Sequence, residues 1–229
     1  MTIGISVIIP HYNAEKYIGE AVRSIAAQVG LEIPALEVIV IDDGSTEESW
    51  ERAQKATVSF GRTWHVRFTK NRGQGFALND GVIRSSGELL AFLDADDLWE
   101  PQKLALQLEA LRAPGKPDLV LGHAREFRDD GWLGPAVPAP LVSAFLLRRE
   151  TFERVGPFEE GLGAGMTLEW YSRALDKGLS TRMLAETVYR RRLHDQNYGV
   201  VHRDRAVAEY LTALKIVTDR RRNANAEAK

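Results

Sequence analysis

The chain has 229 residues, a formal net charge of −2 at pH 7 and no cysteine. This length suits one large domain or a compact α/β unit with a small extension, and the apolar content of 44% is sufficient for a full core. The absence of cysteine excludes disulfides, thiolate metal sites and cysteine nucleophiles, and the small net charge offers no general attraction for nucleic acids.

The first half of the chain alternates apolar strands with amphipathic helices. We predict strands over 5–9, 36–41, 64–69 and 88–93, and helices over 14–25, from Ser45 or Thr46 onward, over 75–85 and from near Pro101. Asn13 is expected to cap the first helix. Alternation at this spacing predicts a parallel sheet with both faces covered, so the loops after the four strands should share one ligand-binding edge.

The second half of the chain is less regular. We expect strands over 118–128 and 142–147, a turn at 129–131, a surface loop over 134–140 and a short helix over 150–155. A glycine-rich stretch over 161–165 predicts a mobile loop before a helix over 168–177. A basic extended segment follows over 185–193, then a last helix over 203–222 and a frayed polar tail.

No apolar stretch approaches the ~20 residues of a membrane span, and residues 1–4 lead directly into a strand. Neither a transmembrane segment nor a signal peptide is therefore expected. These features favour a cytoplasmic location, with peripheral contact at the inner face of a membrane left open.

An acidic run directly follows the fourth predicted strand. Asp94, Asp96 and Asp97 lie within four residues after the apolar segment that ends at Leu93. Carboxylates crowded at the end of a buried strand repel one another, and a hard divalent cation would relieve that cost and bridge them to nucleotide phosphates. Capping of the next helix is the alternative, but a cap needs only one aspartate, so a metal site is favoured.

Several segments, in their order and spacing, resemble the family 2 glycosyltransferases of the GT-A fold. The matching segments are 6–13, 38–45, 71–81, 87–97, 156–158, 168–173 and 191–197, and Asp94-Ala95-Asp96 matches the family's Asp-x-Asp motif. The resemblance implies an α/β fold with a Rossmann-like, mostly parallel central sheet flanked by helices and a smaller acceptor-side C-terminal portion. It divides the chain into a GT-A domain over 1–200, with a nucleotide-binding half over 1–113 and an acceptor-side half over 114–200, and a C-terminal helix and tail over 201–229.

The resemblance implies a metal-dependent inverting glycosyltransferase. Its donor would be a nucleotide-diphosphate sugar, with UDP as the expected nucleotide, and its acceptor a glycan, lipid-linked or other hydroxyl. The implied cofactor is Mn²⁺ or Mg²⁺, with Asp96 and His194 as its ligands. The implied nucleotide-binding residues are Pro10, Tyr12, Asn13, Asp43, Gly73, Asp94, Ala95 and Asp96.

Transfer also requires a carboxylate that takes the proton of the acceptor hydroxyl. Glu169 is the candidate base, but many relatives carry an aspartate two positions earlier, where this chain has Thr167. Glu159 or Glu160 could serve instead, or catalysis could be lost. Trp170 could stack on an acceptor sugar, although core packing is the expected role.

Two other functions stay open at this stage. One is a nucleotide-sugar-binding protein of the same fold without catalysis, which the Thr167 departure motivates. The other is a sugar nucleotidyltransferase, although the chain contains no glycine-rich, lysine-containing phosphate loop.

Overall fold

A computed structural model describes residues 4–30, 36–58 and 62–227. Residues 1–3, which belong to the predicted N-terminal lead-in, and the last two tail residues lie outside the described part. The strands are β1 (Ile5–His11), β2 (Leu36–Asp43), β3 (Thr63–Phe68), β4 (Leu89–Phe92), β5 (Leu98–Trp99), β6 (Leu119–Phe127), β7 (Val137–Pro138), β8 (Leu146–Arg148) and β9 (Thr181–Arg192). The helices are α1 (Ile18–Ala26), α2 (Glu47–Thr57), α3 (Gln74–Arg84), α4 (Lys103–Arg112), α5 (Arg149–Val155), α6 (Met166–Asp176), α7 (Tyr198–Val201) and α8 (Arg203–Glu227), with short 3-10 helices at Val142–Ala144 and Gly163–Gly165.

The strands form one mixed sheet in the order β3-β2-β1-β4-β8-β6-β9-β5, with β7 paired to β6. Strands β1 to β4 are mutually parallel, and β8 runs antiparallel to both β4 and β6. The chain order reverses between β1 and β4, and such a reversal opens a crevice at the carboxyl ends of the strands. The acidic run follows β4 at this crevice, so the predicted α/β architecture and the shared edge of the first four loops are confirmed.

The central strands are buried because their side chains are apolar on both faces. Ile5, Val7, Ile8 and Ile9 of β1 are almost fully buried, as is the whole of β4. Helix α3 packs closely over this layer, because a Cβ at Gly81 would lie 2.3 Å from Cγ2 of Ile8. The glycine lets the helix approach, and the loop before the helix is thereby fixed at the crevice.

Three local predictions need correction. Asn13 does not cap α1, which begins at Ile18; Asn13 instead has φ 49° and its Oδ1 accepts a hydrogen bond from the Thr46 amide at 3.0 Å. The segment 142–147 is divided between a 3-10 helix and β8, because its chain turns before entering the sheet. The last helix extends to Glu227, so most of the predicted frayed tail is helical.

Helix α8, although 25 residues long, alternates charged and apolar side chains. Within the described ranges, no helix combines the length and the apolar character that crossing a bilayer requires.

Candidate functional site

The acidic run forms a tight turn immediately after β4. The Asp97 amide donates to the Asp94 carbonyl at 3.1 Å, and the Asp94 amide donates to the Ser143 hydroxyl at 3.1 Å. The turn points the three carboxylates at different partners. Asp94 accepts from Gln74 Nε2 at 2.6 Å, and Asp97 accepts from the backbone amide of Arg192 at 3.0 Å.

Three carboxylates crowd together in this turn. Burial and the neighbouring charge of Asp96 raise the pKa of Asp94 to about 6. Burial, followed by the charges of Asp96 and Asp94, also raises the pKa of Asp97 well above its usual value. A cation held here would stabilise the ionised forms of all three carboxylates.

Asp96 and His194 form the centre of the site. Their Oδ2 and Nε2 atoms lie 3.0 Å apart, although the two residues are far apart in sequence. Asn197 holds both partners, since its Nδ2 donates to the same Asp96 oxygen at 3.3 Å and its Oδ1 accepts from the His194 amide at 2.6 Å. The ring of Tyr17 stacks on the imidazole at a centroid distance of 4.7 Å. Both predicted metal ligands are thus brought together and held in place.

Asp96 and His194 could bind a cation whose remaining ligands come from water and substrate. In the described part of the chain, no group of three or more His, Cys, Asp or Glu residues forms a metal cage. One carboxylate and one imidazole are nevertheless a fitting protein contribution for Mg²⁺ or Mn²⁺, because Mg²⁺ commonly takes its remaining ligands from water and substrate phosphates and imidazole also ligates transition metals. Asp96 and His194 therefore fit a cation whose shell a bound diphosphate would complete.

Arg192 ties this centre to three other parts of the fold. Its buried guanidinium donates to the Asp96 carbonyl at 3.0 Å, to Glu20 of α1 at 2.5 Å and to Asp129 after β6. The same group lies over the Tyr17 ring at 4.8 Å. Because the Arg192 guanidinium is buried and each of its nitrogens has a partner, it holds the acidic turn in place more strongly than a surface ion pair would.

The remaining residues predicted to bind the nucleotide lie at the carboxyl ends of β1, β2, β3 and β4. Tyr12 is 53% exposed, so its ring is not a core aromatic and is free to stack on a ligand. Asp43 accepts hydrogen bonds from the backbone amides of Arg72 and Gly73, the shortest at 2.7 Å. This carboxylate therefore shapes the loop before α3, and burial raises its pKa. Pro10 and Gly73 lie at the ends of β1 and of that loop, and Ala95 is buried between Asp94 and Asp96.

A second buried pair lies next to Asp43 and is absent from the predicted site. His11 Nδ1 is 2.8 Å from Asp42 Oδ1, and both side chains are inaccessible to solvent. These residues are directly opposite in the parallel register of β1 and β2. Aligning the β1 and β2 sequences as parallel neighbours would have predicted that His11 and Asp42 lie side by side.

The candidate base Glu169 lies in α6, away from open solvent. Both of its carboxylate oxygens are hydrogen-bonded, to Arg173 at 2.9 and 3.0 Å and to Arg220 of α8 at 2.7 Å. Its role as a base is untested and stays a prediction. Thr167 is buried beside it, whereas Glu160 is exposed and lies 3.5 Å from Arg72. Trp170 is a core residue, as expected, with its indole N–H donating to the Gly156 carbonyl at 2.8 Å.

The glycine-rich segment before α6 is covered by the C-terminal helix. Glu209 of α8 accepts from the Ala164 amide at 2.9 Å and from the Tyr198 hydroxyl at 2.7 Å. A Cβ at Gly165 would lie 2.5 Å from the Glu209 carbonyl oxygen, so glycine is required for this contact. The segment that was expected to be a mobile loop is therefore fixed against α8 in this structure.

Known proteins with a similar sequence belong to one family. The family model of glycosyl transferase family 2 matches residues 6–175. An uncharacterized glycosyltransferase, alr2836 of Nostoc sp., is 31% identical over 176 residues, which cover 68% of this chain and 54% of that protein. The chain thus spans about half the length of this relative.

Two solved structures share the fold at 21% identity. The Staphylococcus aureus protein TarS in complex with UDP-GlcNAc has a TM-score of 0.71 over 85% of this chain and 60% of its own. The mannosyltransferase PcManGT of Pyrobaculum calidifontis, in complex with GDP-Man and Mn²⁺, has a TM-score of 0.73 over 94% of this chain and 65% of its own. Since the family model covers most of the chain and the acidic turn lies where the fold binds ligands, the chain belongs to glycosyl transferase family 2.

Proposed function

We propose that this protein is a metal-dependent inverting glycosyltransferase that moves a sugar from a nucleotide-diphosphate donor, UDP-linked, to an acceptor hydroxyl. The observation that supports this proposal most strongly is the Asp96–His194 pair, 3.0 Å apart at the carboxyl edge of the sheet. The donor complexes of TarS with UDP-GlcNAc and of PcManGT with GDP-Man and Mn²⁺ support a nucleotide sugar as the ligand class.

The donor would occupy the crevice between Tyr12 and Asp96. The exposed ring of Tyr12 is available to stack on the base, and the loop shaped by Asp43 provides backbone close to it. Asp94 would contact the ribose or a metal-bound water, since its carboxylate lies next to Gln74 at the start of α3. Asp96 and His194 would hold Mn²⁺ or Mg²⁺, which supplies positive charge for the diphosphate as it leaves.

The acceptor hydroxyl must lose its proton to a carboxylate on the opposite side of the sugar. Glu169 is the base predicted from the motif, and it could act only if its ion pairs with Arg173 and Arg220 rearrange. Glu159 and Glu160 are the alternatives, since both are exposed, and Glu160 lies 3.5 Å from Arg72 at the crevice. The acceptor class in either case is a hydroxyl of a glycan, a lipid-linked sugar or another alcohol.

One observation also favours a second candidate, a nucleotide-sugar-binding protein that does not catalyse transfer. Thr167 replaces the expected aspartate, and both oxygens of Glu169 are already engaged. This candidate shares the donor site with the first, so the two differ only in turnover.

Calorimetric titration of UDP, with and without Mn²⁺, tests the donor site. We expect binding that is strengthened by Mn²⁺, and Asp96→Ala should remove the effect of the metal while the protein stays folded. Asp204→Ala, which removes an exposed carboxylate of α8, is the matched control and should bind as the parent does. A UDP affinity of the parent that is equal with and without Mn²⁺ would contradict the assignment. The same holds if Mn²⁺ strengthens UDP binding to Asp96→Ala as much as to the parent.

A further inference from the structure

Trp132 is an exposed aromatic residue close to the proposed site. Of the five tryptophans, Trp99 and Trp170 are buried in the core, Trp50 is half-buried, and Trp64 and Trp132 are 63% and 42% exposed. Trp64 lines a shallow cavity with Gly4 at the amino ends of the strands, on the edge opposite the acidic turn. Trp132 is therefore the exposed indole on the active-site edge of the described residues.

The Trp132 ring is held by the tip of the hairpin that joins β6 and β7, residues 128–134. The Trp132 amide donates to Asp130 Oδ1 at 2.9 Å, and its carbonyl accepts from the Arg128 amide at 3.0 Å. The Arg128 guanidinium lies 5.0 Å from the ring centroid. A Cβ at Gly134 would lie 3.0 Å from the ring edge, so the glycine lets the indole lie against the backbone. A ring fixed in this way loses little entropy on binding a ligand.

Arg192 links the hairpin tip to the acidic turn. Asp129 of the tip is ion-paired with Arg192, and the same guanidinium donates to the Asp96 carbonyl at 3.0 Å. Phe127, the last residue of β6, lies opposite Arg192 in the parallel pairing with β9. The position of Trp132 is thus coupled through one side chain to the turn that carries the proposed metal ligand.

We propose that the exposed face of Trp132 is an acceptor subsite that stacks on the apolar face of a pyranose ring. The inference rests on the proposed function and specifies its acceptor as a carbohydrate. The C–H bonds on one face of a pyranose carry partial positive charge, which complements the negative face of an indole. The Arg128 guanidinium lies over the ring, and the Asp130 carboxylate binds the Trp132 amide, so the hairpin tip also carries one donor group and one acceptor group for sugar hydroxyls.

The indole Nε1–H signals of the five tryptophans in a nitrogen–proton NMR spectrum test this subsite. Trp132→Phe identifies the Trp132 signal by its loss. Methyl β-D-glucopyranoside, methyl α-D-mannopyranoside and methyl β-N-acetyl-D-glucosaminide are then titrated into the full chain, first alone and then with saturating UDP and Mn²⁺. We expect at least one glycoside to shift the Trp132 signal, with the Trp64 signal unchanged as the internal control.

Trp132→Ala should weaken that glycoside's binding by about tenfold, Trp132→Phe should retain part of it, and Trp64→Ala should leave it as in the parent. If none of the three glycosides shifts the Trp132 signal in either state, or if Trp64 shifts equally, the subsite is overturned. The UDP titration with Asp96→Ala separates this result from a failure of the proposed function: intact donor binding with no Trp132 response refutes the subsite alone.

Discussion

Arg220 of α8 reaches the carboxylate of Glu169 on α6, with Nη1 2.7 Å from Oε1, while Arg173 binds the same carboxylate through two further hydrogen bonds. The Glu169 side chain is almost fully buried, so the ion pairs are poorly screened by solvent. The residue that the motif predicts as a base therefore also joins the C-terminal helix to the body of the domain.

Glu169→Gln should lower the free energy of unfolding by about 3 kcal/mol, because Arg173 would lose its charged partner at a buried carboxylate and Arg220 would keep only its ion pair with Asp176. Urea denaturation measures this loss, and Glu153→Gln, an exposed glutamate of α5, is the control that should change stability little. A stability equal to the parent's would show that the buried ion pairs contribute nothing.

Turnover of the same variant, measured below its unfolding transition, addresses catalysis separately. A base contributes ~10²-fold or more to the rate, so Glu160→Gln and Glu169→Gln can be compared at equal donor affinity. We expect the larger loss of turnover in Glu160→Gln, since its carboxylate is accessible at the crevice. A larger loss of turnover in Glu169→Gln than in Glu160→Gln would identify Glu169 as the base.

His194→Ala should weaken Mn²⁺-dependent UDP binding while leaving metal-free UDP binding unchanged. The imidazole supplies the one nitrogen donor of the pair, at 3.0 Å from Asp96, and Tyr17 and Asn197 hold it there. Calorimetry with and without Mn²⁺ measures both quantities. His202→Ala removes an exposed imidazole between α7 and α8 and should behave as the parent; equal behaviour of both variants would exclude His194 as a ligand.

The half of the fold that carries the proposed nucleotide site could be predicted from local patterns. Apolar runs such as 88–93 are long enough to specify a buried strand, and parallel pairing then brings Tyr12, Asp43 and Asp96 to one edge. The ends of elements were harder, because they depend on contacts far apart in sequence. Asn13 has the chemistry of a helix cap but bonds instead to the turn before α2, which no pattern near residue 13 indicates.

The C-terminal half could not be predicted in the same way, since ion pairs between residues far apart in sequence hold it in place. Arg192 contacts Glu20, Asp96 and Asp129, three residues that only the closed sheet brings together. Likewise, the glycine-rich segment has the composition of a mobile loop, but the cover provided by α8 fixes it through Glu209. Amino-acid composition indicates how flexible an isolated segment would be. Whether the segment is flexible in the folded protein depends on the tertiary contacts that it makes.

Glu209→Ala should increase the hydrogen-exchange rate of the Ala164 amide. Loss of one hydrogen bond corresponds to an increase of about tenfold. The amide now donates to Glu209 at 2.9 Å, and no backbone partner replaces this acceptor in the described structure. Exchange measured by NMR or mass spectrometry reports it, with Asp219→Ala on the same helix as control. Unchanged protection at Ala164 would show that the segment is held by packing alone.

Lys103→Met should stabilise the protein near neutral pH and less so as the pH rises. Lys103 is fully buried, and its Nζ donates to two neutral acceptors, Gln107 at 2.7 Å and the Ala144 carbonyl at 3.2 Å. Burial lowers the pKa of this amine well below its usual value, so the folded protein releases a proton that the unfolded chain retains. Parental stability must therefore rise with pH between the lowered pKa and the unfolded value of about 10.4, by up to ~1.4 kcal/mol per pH unit.

The methionine variant lacks this titration, so the difference in unfolding free energy between variant and parent should shrink across that interval and become constant above it. Urea denaturation at a series of pH values measures the difference. Lys55→Met, which changes an exposed lysine of α2, should show no such slope. A pH-independent difference for Lys103→Met would mean that the buried amine keeps its proton in the folded state, and its two neutral acceptors would then have to stabilise a buried cation.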